Sequence, residues 1–113
     1  MRFKKSVAVD FDGVIHGYSE GWKDGEVYDE PVEGSIEALE ELSTMFNIYI
    51  FTVRKNKEVV KNYIQKYSPN LKFKVTNKKP HAEMYIDDRA INFSGDWKDT
   101  MNQVKNFQTW LKK

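Results

Sequence analysis

With 113 residues and a net charge of +1, the chain has room for one domain around one modest core. Its 40% hydrophobic and 31% charged residues are those of an ordinary soluble globular protein, and seven Phe, six Tyr and three Trp supply bulky core material. Cysteine is absent, which excludes a disulfide framework, a thiolate metal site and a cysteine nucleophile together.

No apolar run approaches the roughly 18 residues needed to span a bilayer. The opening MRFKKSVAVDFDG leads into a strand rather than a signal peptide, so no membrane association and a cytoplasmic location are expected. Val7-Ala8-Val9, closed by Asp10, suits a buried parallel strand. Residues 15–30 carry three glycines and few apolar side chains; they are too polar for core and too long for a plain turn, which predicts a hairpin flap or mobile loop. After Pro31, the residues Ile36, Leu39, Leu42 and Phe46 recur at three- and four-residue steps and predict a helix. Residues 47–52 (NIYIFT) read as a second strand.

Asn56 can cap a second helix carrying Val59, Val60, Tyr63, Ile64 and Tyr67, ended by Pro69. Residues 71–75 alternate apolar and basic side chains as an edge strand does, and Lys72 and Lys74 discourage edge-to-edge pairing. Met84-Tyr85-Ile86, closed by Asp87 and Asp88, is the fourth strand. Asp96 can cap a last helix with Trp97, Met101, Val104, Phe107 and Leu111 on a buried stripe. Strands alternating with helices predict a parallel sheet built from right-handed crossovers, in one domain over residues 1–113.

Charge is segregated along the chain. Eleven acids and one base lie between Asp10 and Glu41; nine bases and one acid lie between Arg54 and Lys79. This is either a solvated surface or an anion-attracting flank beside an acidic one.

Ligands of open α/β sheets bind beyond the carboxyl ends of the strands. Three of the four predicted strands end there in functional side chains: Asp10, Thr52 and the Asp87–Asp88 pair. Strand-like spacing projects Asp10 and Asp12 to one side, and Gly13 lets the backbone turn sharply. One like-charge pair at about 4 Å costs ~4 kcal/mol at an effective dielectric of about 20. Either some of the four carboxylates stay protonated or a cation is bound, and oxygen ligands without thiolate or clustered histidine favour magnesium.

The ordered set Asp10-Phe-Asp12-Gly-Val, an apolar strand with Thr52, then Lys79, then Asp87-Asp88 resembles the haloacid dehalogenase (HAD) superfamily of phosphatases. All four of that family's motifs occur in order and span most of the chain. The resemblance implies a three-layer Rossmann-like sheet with helices on both faces, a short flap after the first strand and no cap domain. It implies an Mg2+-dependent phosphomonoester hydrolase in which Asp10 is the nucleophile and forms an aspartyl-phosphate. Asp12 would be the general acid and base. Asp10, the Asp12 backbone carbonyl and Asp87 would hold the metal, with Asp88 supporting it or its waters. Thr52 would donate to a phosphoryl oxygen, and Lys79, preferred over Lys78 because it directly precedes Pro80, would steady the charge.

Backbone N–H groups after Asp10, at Gly13, could complete an anion nest. Arg54 either reaches the phosphate or forms a surface salt bridge, and His16 and His81 read as surface residues. A capless site suits a large substrate, or a small one covered by the flap, on which Tyr18 and Trp22 either stack on a base or anchor the loop. If Lys55, Lys57, Lys61 and Lys78 border the site, the phosphorylated substrate is a nucleotide or a nucleic-acid end. No obligate protein partner is implied. Alternatives are a HAD-like module that binds magnesium or phosphate without turnover, and a nucleic-acid-binding protein. A response-regulator receiver is disfavoured because its acidic pair precedes the phosphoacceptor strand, whereas here Asp87-Asp88 follows Thr52 and Lys79.

Overall fold

A computed structural model describes residues 4–107. Four strands, β1 (Ser6–Asp10), β2 (Asn47–Phe51), β3 (Lys74–Thr76) and β4 (Met84–Ile86), alternate with helices α1 (Ser35–Ser43), α2 (Lys57–Tyr67) and α3 (Trp97–Lys105). The sheet is entirely parallel, in the order β3-β2-β1-β4. The chain steps outward from β1 through β2 to β3, then returns to the other side of β1. The order therefore reverses between β1 and β4, and crevices at such reversals are where ligands bind in open α/β sheets.

Strand alternation sorts the side chains. Val7 and Val9 of β1 and Ile48 and Ile50 of β2 join Ile36 and Leu39 of α1 and Val60 and Ile64 of α2 in one buried cluster. Ile50 is fully buried at its centre. Ile50→Ala is expected to cost about 2–5 kcal/mol, the range for emptying a buried aliphatic position. Denaturant melts read this directly, and a loss below about 1 kcal/mol would place Ile50 outside the cooperative core.

Helix ends follow the sequence closely. The Asn56 side chain accepts from the Glu58 N–H at 3.2 Å and that of Asp96 from the Lys98 N–H at 2.9 Å, each satisfying an orphan first-turn donor. α1 begins instead after Gly34, whose φ of 83° carries the chain into the helix without a side-chain cap.

Three expectations need correction. β3 starts at Lys74 rather than 71, because only residues 74–76 find ladder partners on β2; Leu71 and Phe73 still pack against the core from outside the strand. Among the described residues the helices do not cover both faces of the sheet: α1 and α2 share one face, through the single cluster they complete. The stripe expected to bury α3 is open, with Trp97, Met101 and Val104 about half exposed or more. Phe93 and Trp97 meet one another in a tilted pair, centroids 5.1 Å apart. Leu111 lies outside the described residues. On the face away from α1 and α2, Ala8, Asp10, Phe51 and Tyr85 line a groove of about 800 Å³. No helix among the described residues is long and apolar enough to cross a membrane.

Candidate functional site

β1 delivers Asp10 and β4 delivers Asp87 and Asp88 to the carboxyl side of the sheet, at the reversal between the two strands. The register is what brings them together, pairing Val9 with Ile86 so that both acidic ends emerge side by side. One carboxylate oxygen from each of the three lies within 4.8 Å of the others, close enough to share one ion. Asp10 is 9% exposed. Burial first, then the charges of Asp87 and Asp88, push its pKa up to about 7, against weaker opposition from the Phe11 N–H and Arg89. Asp88 is raised by burial and by the charge of Asp87, against its own backbone N–H, Arg89 and a contact with Asp10, and both of its carboxylate oxygens are enclosed.

Three crowded carboxylates, one with both oxygens enclosed, fit a hard divalent cation such as Mg2+ held through oxygen. Asp10, Asp87 and Asp88 are the side chains that would hold it.

The Asp12 carboxylate does not join them. Beyond β1 the chain leaves strand geometry: Gly13 adopts φ 84° and its N–H donates to the His16 carbonyl at 2.8 Å, closing a tight loop. Asp12 consequently faces Arg54, whose Nη1 and Nη2 donate to its two oxygens at 2.8 and 3.0 Å. His16 Nδ1 lies 2.9 Å from Asp12 Oδ1. Burial pushes the Asp12 carboxyl up, but hydrogen bonds from His16 and Arg54 together with the Arg54 charge outweigh it and hold the pKa below the usual value. The expected cluster of four carboxylates is thus three plus one, the fourth neutralised by an arginine. Because the Gly13 N–H is already donated, an anion nest would have to use other backbone groups.

His16 and Arg54 are not surface residues. His16 is fully buried, and its Nε2 accepts the Tyr28 and Asp29 N–H groups at 3.1 and 3.0 Å. A nitrogen that accepts twice carries no hydrogen, so the proton is assigned to Nδ1 and donated to Asp12. Tyr28 and Tyr63 meet the His16 ring edge-on, and Phe11 stacks on it. The 15–30 segment is therefore organised around a buried histidine. Its two arms are tied by Gly17 N–H to Glu30 O and Val32 N–H to Ile15 O, and a Cβ on Gly17 would meet Asp29 Cβ at 3.0 Å. Tyr18 is buried in it, whereas Trp22 is half exposed and lies over the Arg54 guanidinium.

Thr52 is buried at the end of β2, and its Oγ1 accepts from Arg54 N and Nη1 at 3.2 and 3.1 Å. Lys79 lines the groove into which Asp10 opens, its ammonium 4.8 Å from the centre of the Tyr85 ring. Lys78 does not line that groove; it hydrogen-bonds Thr76 through its backbone. His81 is exposed, as expected.

Sequence reasoning undervalues two residues, reading His16 as a surface residue and Arg89 as structural. His16 lies four residues after Asp12 across a glycine turn, a spacing that could have flagged an Asp–His contact. Arg89, whose charge opposes the raised pKa values of Asp10 and Asp88, follows the acidic pair directly.

Fold and site together define a small parallel α/β protein with an acidic triad at the switch point of its sheet. No family model, curated protein or solved structure matches the chain.

Proposed function

We propose that the chain is an Mg2+-dependent phosphomonoester hydrolase of the HAD type, acting through a phosphoenzyme on Asp10. The observation that carries this reading is the triad. Asp10, Asp87 and Asp88 converge at the sheet's switch point with more negative charge than the fold neutralises, beside a groove that also holds Lys79. Magnesium bound there would offset charge between nucleophile and phosphate.

Asp10 attacks phosphorus, its carboxylate oxygen forming the new P–O bond as the ester oxygen departs with the electron pair. Asp12, an anion in the structure, is ready as the base that takes a proton from water in the second displacement. To act as the acid of the first, it must take up a proton from solvent beforehand and hand it to the departing ester oxygen, an uptake that its lowered pKa opposes. Lys79 steadies the charge on the transferring group, and the Thr52 hydroxyl donates to one of its oxygens. The substrate class is open between nucleotides, nucleic-acid ends and other phosphate esters: Lys55, Lys57 and Lys61 are exposed but do not line the groove beside Asp10, and Lys79 is the lysine that does.

One observation favours a second reading. Arg54 occupies both oxygens of Asp12, so a domain that binds magnesium and a phosphate without turnover would present the same picture. The discriminating experiment is a phosphate-release screen over an aryl phosphate, nucleotides, sugar phosphates and 3′- or 5′-phosphorylated oligonucleotides, with magnesium and with chelator. Magnesium-dependent release from at least one class is expected. Silence across the panel, with magnesium binding retained, would select the binding module.

A further inference from the structure

Arg54 is 4% exposed although it carries a full charge. Buried arginines are tolerated when every N–H finds an acceptor, and here all five do. Nε donates to Gly25 O at 2.8 Å; Nη1 donates to Asp12 Oδ2 at 2.8 Å and Thr52 Oγ1 at 3.1 Å; Nη2 donates to Asp12 Oδ1 at 3.0 Å and Glu26 O at 3.3 Å. Aromatic rings lie against the guanidinium on Phe11 and Trp22, each centroid 5.2 Å from Cζ. A side chain with no spare donor has nothing to offer a phosphoryl oxygen.

What the guanidinium does instead is join three things the hydrolase needs. It fixes the plane of the Asp12 carboxylate through a two-point contact that lysine cannot reproduce. It occupies, with its own backbone N–H, both lone pairs of the Thr52 hydroxyl, so that the one hydrogen of Thr52 is left to donate elsewhere. It ties residues 25 and 26 of the loop to these two side chains, while His16 ties Asp12 to residues 28 and 29 of the same loop.

We propose that Arg54 is a positioning residue that sets the geometry of Asp12 and Thr52 and locks the 17–31 loop to them, rather than a ligand of the substrate phosphate. The assignment rests on the hydrolase reading above for its kinetic consequence, but its structural half stands apart from it.

The test compares the wild type with Arg54→Lys, which keeps the charge and loses the fork. With magnesium and a phosphate ester that the wild type hydrolyses, kcat is expected to fall about 100-fold, the scale of a misplaced catalytic group. KM should stay within about threefold, since no substrate contact is removed. Amide hydrogen exchange should quicken by about tenfold or more across residues 17–31 while β1, β2 and α2 stay protected. A KM raised about tenfold with kcat and loop exchange unchanged would make Arg54 a phosphate ligand and overturn the assignment, as would no change in any readout.

If Arg54→Lys loses its cooperative melt, Trp22→Leu decides. It removes an exposed ring from one side of the guanidinium, and faster exchange at residues 22–27 with a several-fold lower kcat at constant KM is expected; wild-type behaviour overturns the assignment. A wild type that releases phosphate from no ester removes the hydrolase reading alone. The exchange measurements then still decide whether Arg54 locks the loop.

Discussion

Asp10→Asn is expected to abolish turnover, by about 1,000-fold or more, and at the same time to stabilise the metal-free protein at pH 8. The two effects share one cause. Asp10 carries the oxygen that attacks phosphorus in the proposed reaction, and an amide is no nucleophile. The same carboxylate is buried against Asp87 and Asp88, so its ionised form is disfavoured in the fold and its pKa stands at about 7. At pH 8 the native state bears that unfavourable charge; asparagine has the same shape without it. At pH 5 native Asp10 is protonated but the unfolded chain has already lost that proton, so the substitution should still stabilise, by less than at pH 8. Phosphate release and thermal melts at both pH values check this. Turnover close to wild type would refute the nucleophile assignment, and a variant less stable at pH 8 would refute the account of the charge.

Magnesium should raise the melting temperature, and raise it more at pH 8 than at pH 5. Unfolded aspartate loses its proton near the ordinary value of 3.8, whereas native Asp10 keeps it to about 7. Between these values the native state binds more protons than the unfolded one, so stability falls as pH rises across that window. Below it the favourable contribution of protonated Asp10 is fully present; above about 7 it is gone. A divalent cation among Asp10, Asp87 and Asp88 offsets the charge and binds only the assembled triad, so it stabilises by mass action. At pH 5 it must displace a proton from Asp10 first, which weakens it.

Calorimetric melts with millimolar magnesium or chelator, at pH 5 and pH 8, give four numbers that must follow this order. A curve indifferent to magnesium at pH 8 would remove the metal from the site. Retention of the full magnesium effect in Asp10→Asn would remove Asp10 from its ligands.

Much of the architecture was legible because it depends on local pattern. Apolar runs of β1, β2 and β4, the caps at Asn56 and Asp96, and the stop of α2 before Pro69 need only neighbours in sequence, and each occurs where the pattern placed it. The convergence of Asp10 with Asp87 and Asp88 was readable too, since parallel strands end on one side of a sheet and acidic residues closing two of them must meet if those strands are adjacent.

What pattern could not supply was the partner of each charge. An amphipathic stripe says which face of α3 is apolar, not whether another element reaches it, and Trp97 and Met101 are open, with Phe93 meeting Trp97. Composition made the 15–30 loop too polar for burial, yet His16 is fully enclosed, because two backbone N–H groups and one carboxylate satisfy its ring. Alternation placed Asp12 beside Asp10, but the strand ends at Asp10 and the chain turns at Gly13 just after Asp12, so Asp12 pairs with an arginine 42 residues away. Strand and helix arise from interactions a few residues long, which the amino-acid order itself contains. Burial of a charge is decided by what the completed chain brings within 3 Å of it, and that only the tertiary structure determines.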